Sequence, residues 1–176
     1  MLFGRSDSMK KVIVILGGNK EETMKRFKDG LSLYYQNENS EIINSGIGSF
    51  ELISDYIRCI CEKDEQFSSR MIRDPLPTYT KQNMEDAVVL IGDDAESVAF
   101  VGGSRQIAEI KVYARCLREA LKGKELEFYG TSEIFNKYMP IHLVESFVSL
   151  IYAPLANPGE KIIDFIKKFV YRGREL

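Results

Sequence analysis

A chain of 176 residues is long enough for one compact domain with a sizeable core and too short for two ordinary ones. Hydrophobic residues make up 44% and charged residues 28%, with 5 Pro against 13 Gly, which excludes the disordered and collagenous classes. A formal charge of −2 offers no broad basic field to a phosphate backbone, so no nucleic-acid partner is expected; one histidine and three cysteines cannot assemble a His-rich or four-cysteine centre, so no structural metal is expected.

Residues 1–11 read as a polar N-terminal extension, in which Met9 before Lys10 and Lys11 is an alternative start to Met1, and residues 12–176 as a single α/β domain. Val12 to Leu16 is a continuous apolar, mostly β-branched run, the pattern of a strand buried on both faces, and it ends in Gly17-Gly18-Asn19. Asn19 and Glu22 have the spacing of a capping box, and Met24, Phe27, Leu31 and Tyr34 then recur at helical spacing to about Tyr35. The unit repeats: Glu41 to Ser45 as strand, Gly46-Ile47-Gly48-Ser49 as turn, and a helix from about Phe50 to Cys61. A weaker strand at Arg70 to Arg73 leads through Pro75 and Pro77 into a helix from Thr80, with Met84, Ala87, Val88 and Ile91 on one face. Ser97 to Val101 forms a fourth strand ending in Gly102-Gly103-Ser104, and Ile107, Ile110, Ala114, Leu117 and Leu121 mark a regular amphipathic helix after it. Glu125 to Tyr129 is a fifth strand, ending at Gly130-Thr131-Ser132 before a helical C-terminal third.

Strands separated by helices imply a parallel sheet, and right-handed crossovers put the helices on both of its faces. The expected fold is therefore a three-layer α/β/α sandwich, Rossmann-like, with a mainly parallel sheet of about five strands and Val12 to Leu16 near its centre. All strand-to-helix turns then fall on one edge. Four of them carry small residues: Gly17, Gly18 and Asn19; Ser45, Gly46 and Gly48; Gly102, Gly103 and Ser104; Gly130 and Thr131. A ligand approaches backbone most closely where Cβ atoms are missing, and free N–H groups at helix N-termini attract an anion, so this edge is the expected site for a small anionic molecule. A single βα turn favours Gly and Ser for its dihedrals and caps alone; four converging turns weigh toward a crevice.

Arg105 follows the fourth strand's turn, where a guanidinium either clamps a carboxylate or phosphate or pairs with Glu109 on the surface; both readings stand. Thr80 and Asn83 open the third helix as caps or as ligand contacts. Neither G-x-G-x-x-G nor G-x-x-x-x-G-K-[ST] occurs, which removes the dinucleotide fingerprint and the Walker loop. His142, the only histidine, lies beyond the sheet in an apolar stretch, so no Ser-His-carboxylate triad assembles at this edge and no catalytic residue is assigned.

Leu16-Gly17-Gly18, Asn44-Ser45-Gly46, Thr80-Lys81-Gln82-Asn83 and Val101-Gly102-Gly103-Ser104, in that order, make the chain resemble the YdcF/SanA/ElyC-like domain family over roughly Val12 to Ser132. The resemblance implies a Rossmann-like α/β/α fold and a ligand crevice. The family's helix-opening Asn-Thr-x-Glu-Asn reads here Tyr79-Thr80-Lys81-Gln82-Asn83, keeping Thr80 and Asn83, and its His-x-x-Arg is replaced by Gln106-Ile107-Ala108-Glu109. The functional expectation is a small-molecule binder, transferase-like if it is an enzyme, taking a nucleotide, an adenosyl compound such as adenosylmethionine, or a sugar phosphate. The alternative is a binding module or oligomeric scaffold that has lost the family's polar site.

The segment 141–152 is densely apolar yet too short to span a bilayer, so no transmembrane segment is expected. It packs on the domain's own flank or forms a homodimer surface. Cys59 and Cys61, two residues apart in a helical pattern, point roughly 200° apart and read as packing thiols. Three cysteines without a cleavable signal pattern suggest a reducing compartment, the cytoplasm.

Overall fold

Every residue of Val12 to Leu16 is buried, and the alternation of a strand sends its side chains to two different cores. Val12, Val14 and Leu16 pack with Met84, Ala87, Ile110 and Ala114, whereas Ile13 and Ile15 pack with Phe27, Leu31, Ile57 and Phe67. The computed structural model describes residues 9–18, 20–46, 51, 53–74 and 80–132. Within them β1 (Lys11–Leu16), β2 (Ser40–Ser45), β3 (Met71–Asp74), β4 (Ser97–Gly103) and β5 (Glu125–Thr131) form one sheet in the order β3-β2-β1-β4-β5. Every neighbouring pair is parallel. Helices α1 (Lys20–Tyr35), α2 (Ser54–Cys61) and α3 (Glu65–Arg70) supply the core on one face; α4 (Thr80–Leu90) and α5 (Gln106–Cys116) supply the other. The expected α/β/α sandwich with β1 at its centre is the observed fold.

Several boundaries differ from the sequence expectation. The strand expected at Arg70 to Arg73 runs instead over Met71–Asp74, because Arg70 ends a short helix, α3, that no periodicity announced. Its cap is local: the Asp64 carboxylate accepts the Phe67 N–H at 3.0 Å. The one buried residue of α3, Phe67, meets Phe27 and Tyr34 edge-on, with ring centroids 6.3 and 5.3 Å apart. The helix expected to run through Leu121 stops at Cys116; Leu121 is buried all the same, from the turns that lead to Gly123 at φ +80°. Cys59 is exposed, so of the two expected packing thiols only Cys61 lies against the core. The helix expected from Phe50 is described as α2 from Ser54, with Phe50 itself outside the described residues. The C-terminal third expected to be helical, with His142 and the apolar segment 141–152, like most of the N-terminal extension, also lies outside them. No helix among the described residues is long and apolar enough to cross a membrane.

Polar ties fasten the N-terminal edge of the sheet. Lys10 Nζ reaches Asp94 at 2.9 Å and Glu41 at 3.0 Å, and Lys124 Nζ donates to the carbonyls of Gly92 and Ala95. On the α1 face, Lys11 Nζ lies 2.6 Å from Glu127, which also accepts from Ser97 Oγ at 3.1 Å and from the Tyr129 hydroxyl. That hydroxyl donates to a carboxylate, and with burial and the charge of Glu127 acting in the same direction its pKa is pushed up to about 12. A phenol pKa raised by folding contributes stability that is fully present below pH 10 and is lost as pH rises toward about 12. The stability advantage of the wild type over Tyr129→Phe is therefore expected to be constant from pH 7 to 9 and to shrink between pH 10 and about 12, measured by urea unfolding across that range.

Candidate functional site

In the order β3-β2-β1-β4-β5 the chain leaves β1 toward β2 on one side and leaves β4 toward β5 on the other. The crevice between those two diverging connections, outside the C-terminal ends of β1 and β4, is where a parallel sheet of this type admits a ligand. Both strands end in Gly-Gly: Gly17-Gly18 follows β1, and Gly102-Gly103 closes β4. The described small-residue positions gather at this edge in two groups, one on each side of the crevice.

The first group joins the ends of β1 and β2 to the start of α4. Gly17 N–H donates to the Ser45 carbonyl at 2.7 Å, and Ser45 Oγ donates to the Asn83 carbonyl at 3.2 Å. Gly46 is buried at φ +137°, and a Cβ there would stand 3.0 Å from Gly17 Cα, so both its conformation and its neighbour demand glycine. Asn83 is buried beside it, and Thr80, half-buried, begins α4. Asn19 and Gly48 lie outside the described residues.

The second group is partly strand where sequence suggested turn. Gly102 and Gly103 pair with Gly130 and Thr131 in the β4–β5 ladder, so only Ser104 and Arg105 turn the chain into α5. The sheet runs on because Gly130 lets Ser104 pass; a Cβ there would meet Ser104 Cα at 3.0 Å. Ser104 donates to the Thr131 carbonyl from both its N–H, at 2.9 Å, and its Oγ, at 2.7 Å, while Thr131 Oγ1 donates to the Gly102 carbonyl. Arg105 takes the N-cap position of α5 with helical dihedrals, φ −75° and ψ −32°, and is half-buried.

The N–H groups expected to attract an anion are those at helix N-termini; four backbone N–H groups of the segments leading into α1 and α5 are held within the chain. Gly17 N–H is held by Ser45, Gly18 N–H by Thr23 Oγ1 at 3.0 Å, Gly103 N–H by Gln106 Oε1 at 3.2 Å and Ser104 N–H by Thr131. Positive charge near the crevice comes from side chains. Arg26, 2% exposed, donates Nη1 to the carbonyls of Leu16 at 3.0 Å and Gly17 at 2.5 Å, with Glu22 3.5 Å from Nη2. Lys25 reaches from α1 to the end of β5, donating to the Ser132 carbonyl at 2.9 Å and to its hydroxyl.

Three buried polar residues at this edge were not among the expected site residues, although Asn44 stands in the Asn44-Ser45-Gly46 stretch that carries the resemblance. Thr23 is 0% exposed and closes the first turn by accepting from Gly18 N–H and donating to the Gly18 carbonyl, both at 3.0 Å. Arg26 holds the two preceding carbonyls. Asn44, 0% exposed, has neither Oδ1 nor Nδ2 hydrogen-bonded. Their signal was available: Thr23 and Arg26 occupy the same helical stripe as Phe27 and Gly30, and Asn44 continues the apolar run Ile42-Ile43. Among the described residues no three His, Cys, Asp or Glu side chains gather as a metal site would require.

Comparison with known proteins returns no matching family model, no matching curated protein and no matching solved structure. The near-isosteric Thr23→Val removes the partner of the Gly18 N–H and carbonyl. It is expected to destabilise the protein by about 0.5–1.5 kcal/mol, read as a lower urea midpoint with an unchanged m-value.

Proposed function

We propose that this chain binds a small anionic molecule of the nucleotide, adenosyl or sugar phosphate type in the crevice between the β1–α1 and β4–α5 turns. One observation carries the reading: the strand order reverses between β1 and β4, and these are the strands that end in Gly-Gly. Gly18, Ser104 and Gly130 are exposed and put little side chain of their own at the mouth of the crevice. The charges of Arg26, Lys25 and Arg105 favour an anion there, with Glu22 offsetting part of the Arg26 contribution. Thr80 and Asn83, the residues shared with the YdcF-like pattern, support a transferase-like activity by that likeness alone, without its His-x-x-Arg. Pairing of two chains through segment 141–152 rests on that segment's composition, and a cytoplasmic setting rests on cysteine usage.

A second reading has its own observation. Gly46 and Gly130 are required by close backbone packing, and four turn N–H groups are satisfied internally, as they would be in a scaffold whose glycines serve geometry. Ligand stabilisation separates the two. A ligand at 100 times its dissociation constant adds about 2.7 kcal/mol to stability, so a thermal-shift panel of nucleotides, adenosylmethionine and sugar phosphates is expected to give at least one hit at millimolar concentration. A silent panel leaves the scaffold reading. For a hit, Arg105→Ala is expected to weaken binding about tenfold or more in calorimetric titration, because a charge-assisted hydrogen bond to an anion contributes roughly 1.5–3 kcal/mol. Unchanged affinity moves the anion away from the β4–α5 turn.

A further inference from the structure

Asn44 is the penultimate residue of β2, paired in register with Ile15 of β1 and Arg73 of β3. Strand alternation puts it on the same face as Ile42, Ile13 and Ile15, the face covered by α1. A primary amide offers two donors and an acceptor with two lone pairs, and here both atoms are buried without a hydrogen bond. Leaving a buried polar group unmet is one of the larger penalties a fold can carry, and an apolar residue of similar size would remove it. Stability therefore gives no reason for an asparagine at this position; a binding role does.

Its location supplies that role. The next register step pairs Ser45 with Leu16, whose carbonyl Arg26 holds, and Ser45 in turn accepts the Gly17 N–H. Gly17 and Gly46 meet there, so the ends of β1 and β2 place no side chain from those two residues between the sheet edge and the Asn44 amide. Thr23 and Arg26, the other buried polar side chains of this face at that edge, are engaged with the β1–α1 turn. We infer that Asn44 is a binding residue for the ligand proposed above, and that it takes neighbouring hydroxyls: one donates to Oδ1 while the next accepts from Nδ2. Sugar hydroxyls have that chemistry, and they are common to nucleotides, adenosyl compounds and sugar phosphates. The anionic part of the same molecule then lies toward Arg105. This inference rests on the crevice reading, and the experiment keeps the two apart.

Ribose 5-phosphate and adenosine monophosphate are titrated calorimetrically into the full chain, into Asn44→Leu and into the smaller Asn44→Val, and the unliganded proteins are melted in parallel. The expected result is a melting temperature raised by roughly 3 °C or more in at least one variant, together with at least a tenfold loss of affinity for whichever probe binds the wild type. Wild-type affinity retained in a folded variant overturns the role of Asn44 and leaves the crevice reading intact. A melting temperature lowered in both variants shows that the amide serves the free fold and overturns the inference as well. Failure of both probes to bind the wild type removes the sugar-hydroxyl assignment, and the crevice reading then falls or stands with the wider ligand panel.

Discussion

The structure depends on the burial of β1 on both faces. Five successive side chains, Val12 to Leu16, leave water completely or nearly so, each contributing about 1.5–3 kcal/mol of transfer free energy. A strand apolar on both sides needs a layer of helices over each face, and a chain supplies both layers most directly by parallel crossovers. α1 returns over one face to β2, and the second half of the domain returns over the other through α4 and α5. Once that is set, the reversal of direction at β1 follows, and with it the crevice beside the Gly17-Gly18 end.

Close contact at that edge and access to it have the same origin. Gly46 against Gly17 and Gly130 against Ser104 bring strand ends within van der Waals contact of the neighbouring turn, which only a missing Cβ allows. Each contact also removes side chains from the rim of the crevice. The small residues alone therefore do not discriminate between packing and binding, and the hydrogen bonds carry more information. The N–H groups of Gly17, Gly18, Gly103 and Ser104 are held inside the chain, and the positively charged side chains near them are Arg26, Lys25 and Arg105.

The architecture was legible because it is written in long periodic runs. Val12 to Leu16, the stripe from Phe27 to Tyr34 and the face of Met84, Ala87 and Val88 each appear where their spacing put them. The short α3 was not legible, since six residues capped by Asp64 and anchored by a single phenylalanine give no repeat to read. The division between turn and strand at Gly102 and Gly130 was hidden as well. Glycine is a turn signal in isolation, yet here it extends the β4–β5 ladder, because the decisive fact is how close Ser104 comes to Gly130. Such long-range contacts have no counterpart in local sequence.

The same limit explains why the informative polar residues were not assigned to the site, and it points to where such residues lie. Thr23, Arg26 and Asn44 stand at positions that periodicity reserves for apolar side chains, two on the stripe of α1 and one on β2. Burial of a polar group is costly unless the fold gives it partners, so each such position poses a definite question of satisfaction. Thr23 answers it within the chain by closing the turn after β1, and Arg26 does so through its Nη atoms though not its Nε. Asn44 does not, although it lies one register step from the same turn. Two of the three intrusions into the apolar pattern thus fasten the turn after β1, and the third lies one register step from it, under α1, with its hydrogen-bonding capacity unspent.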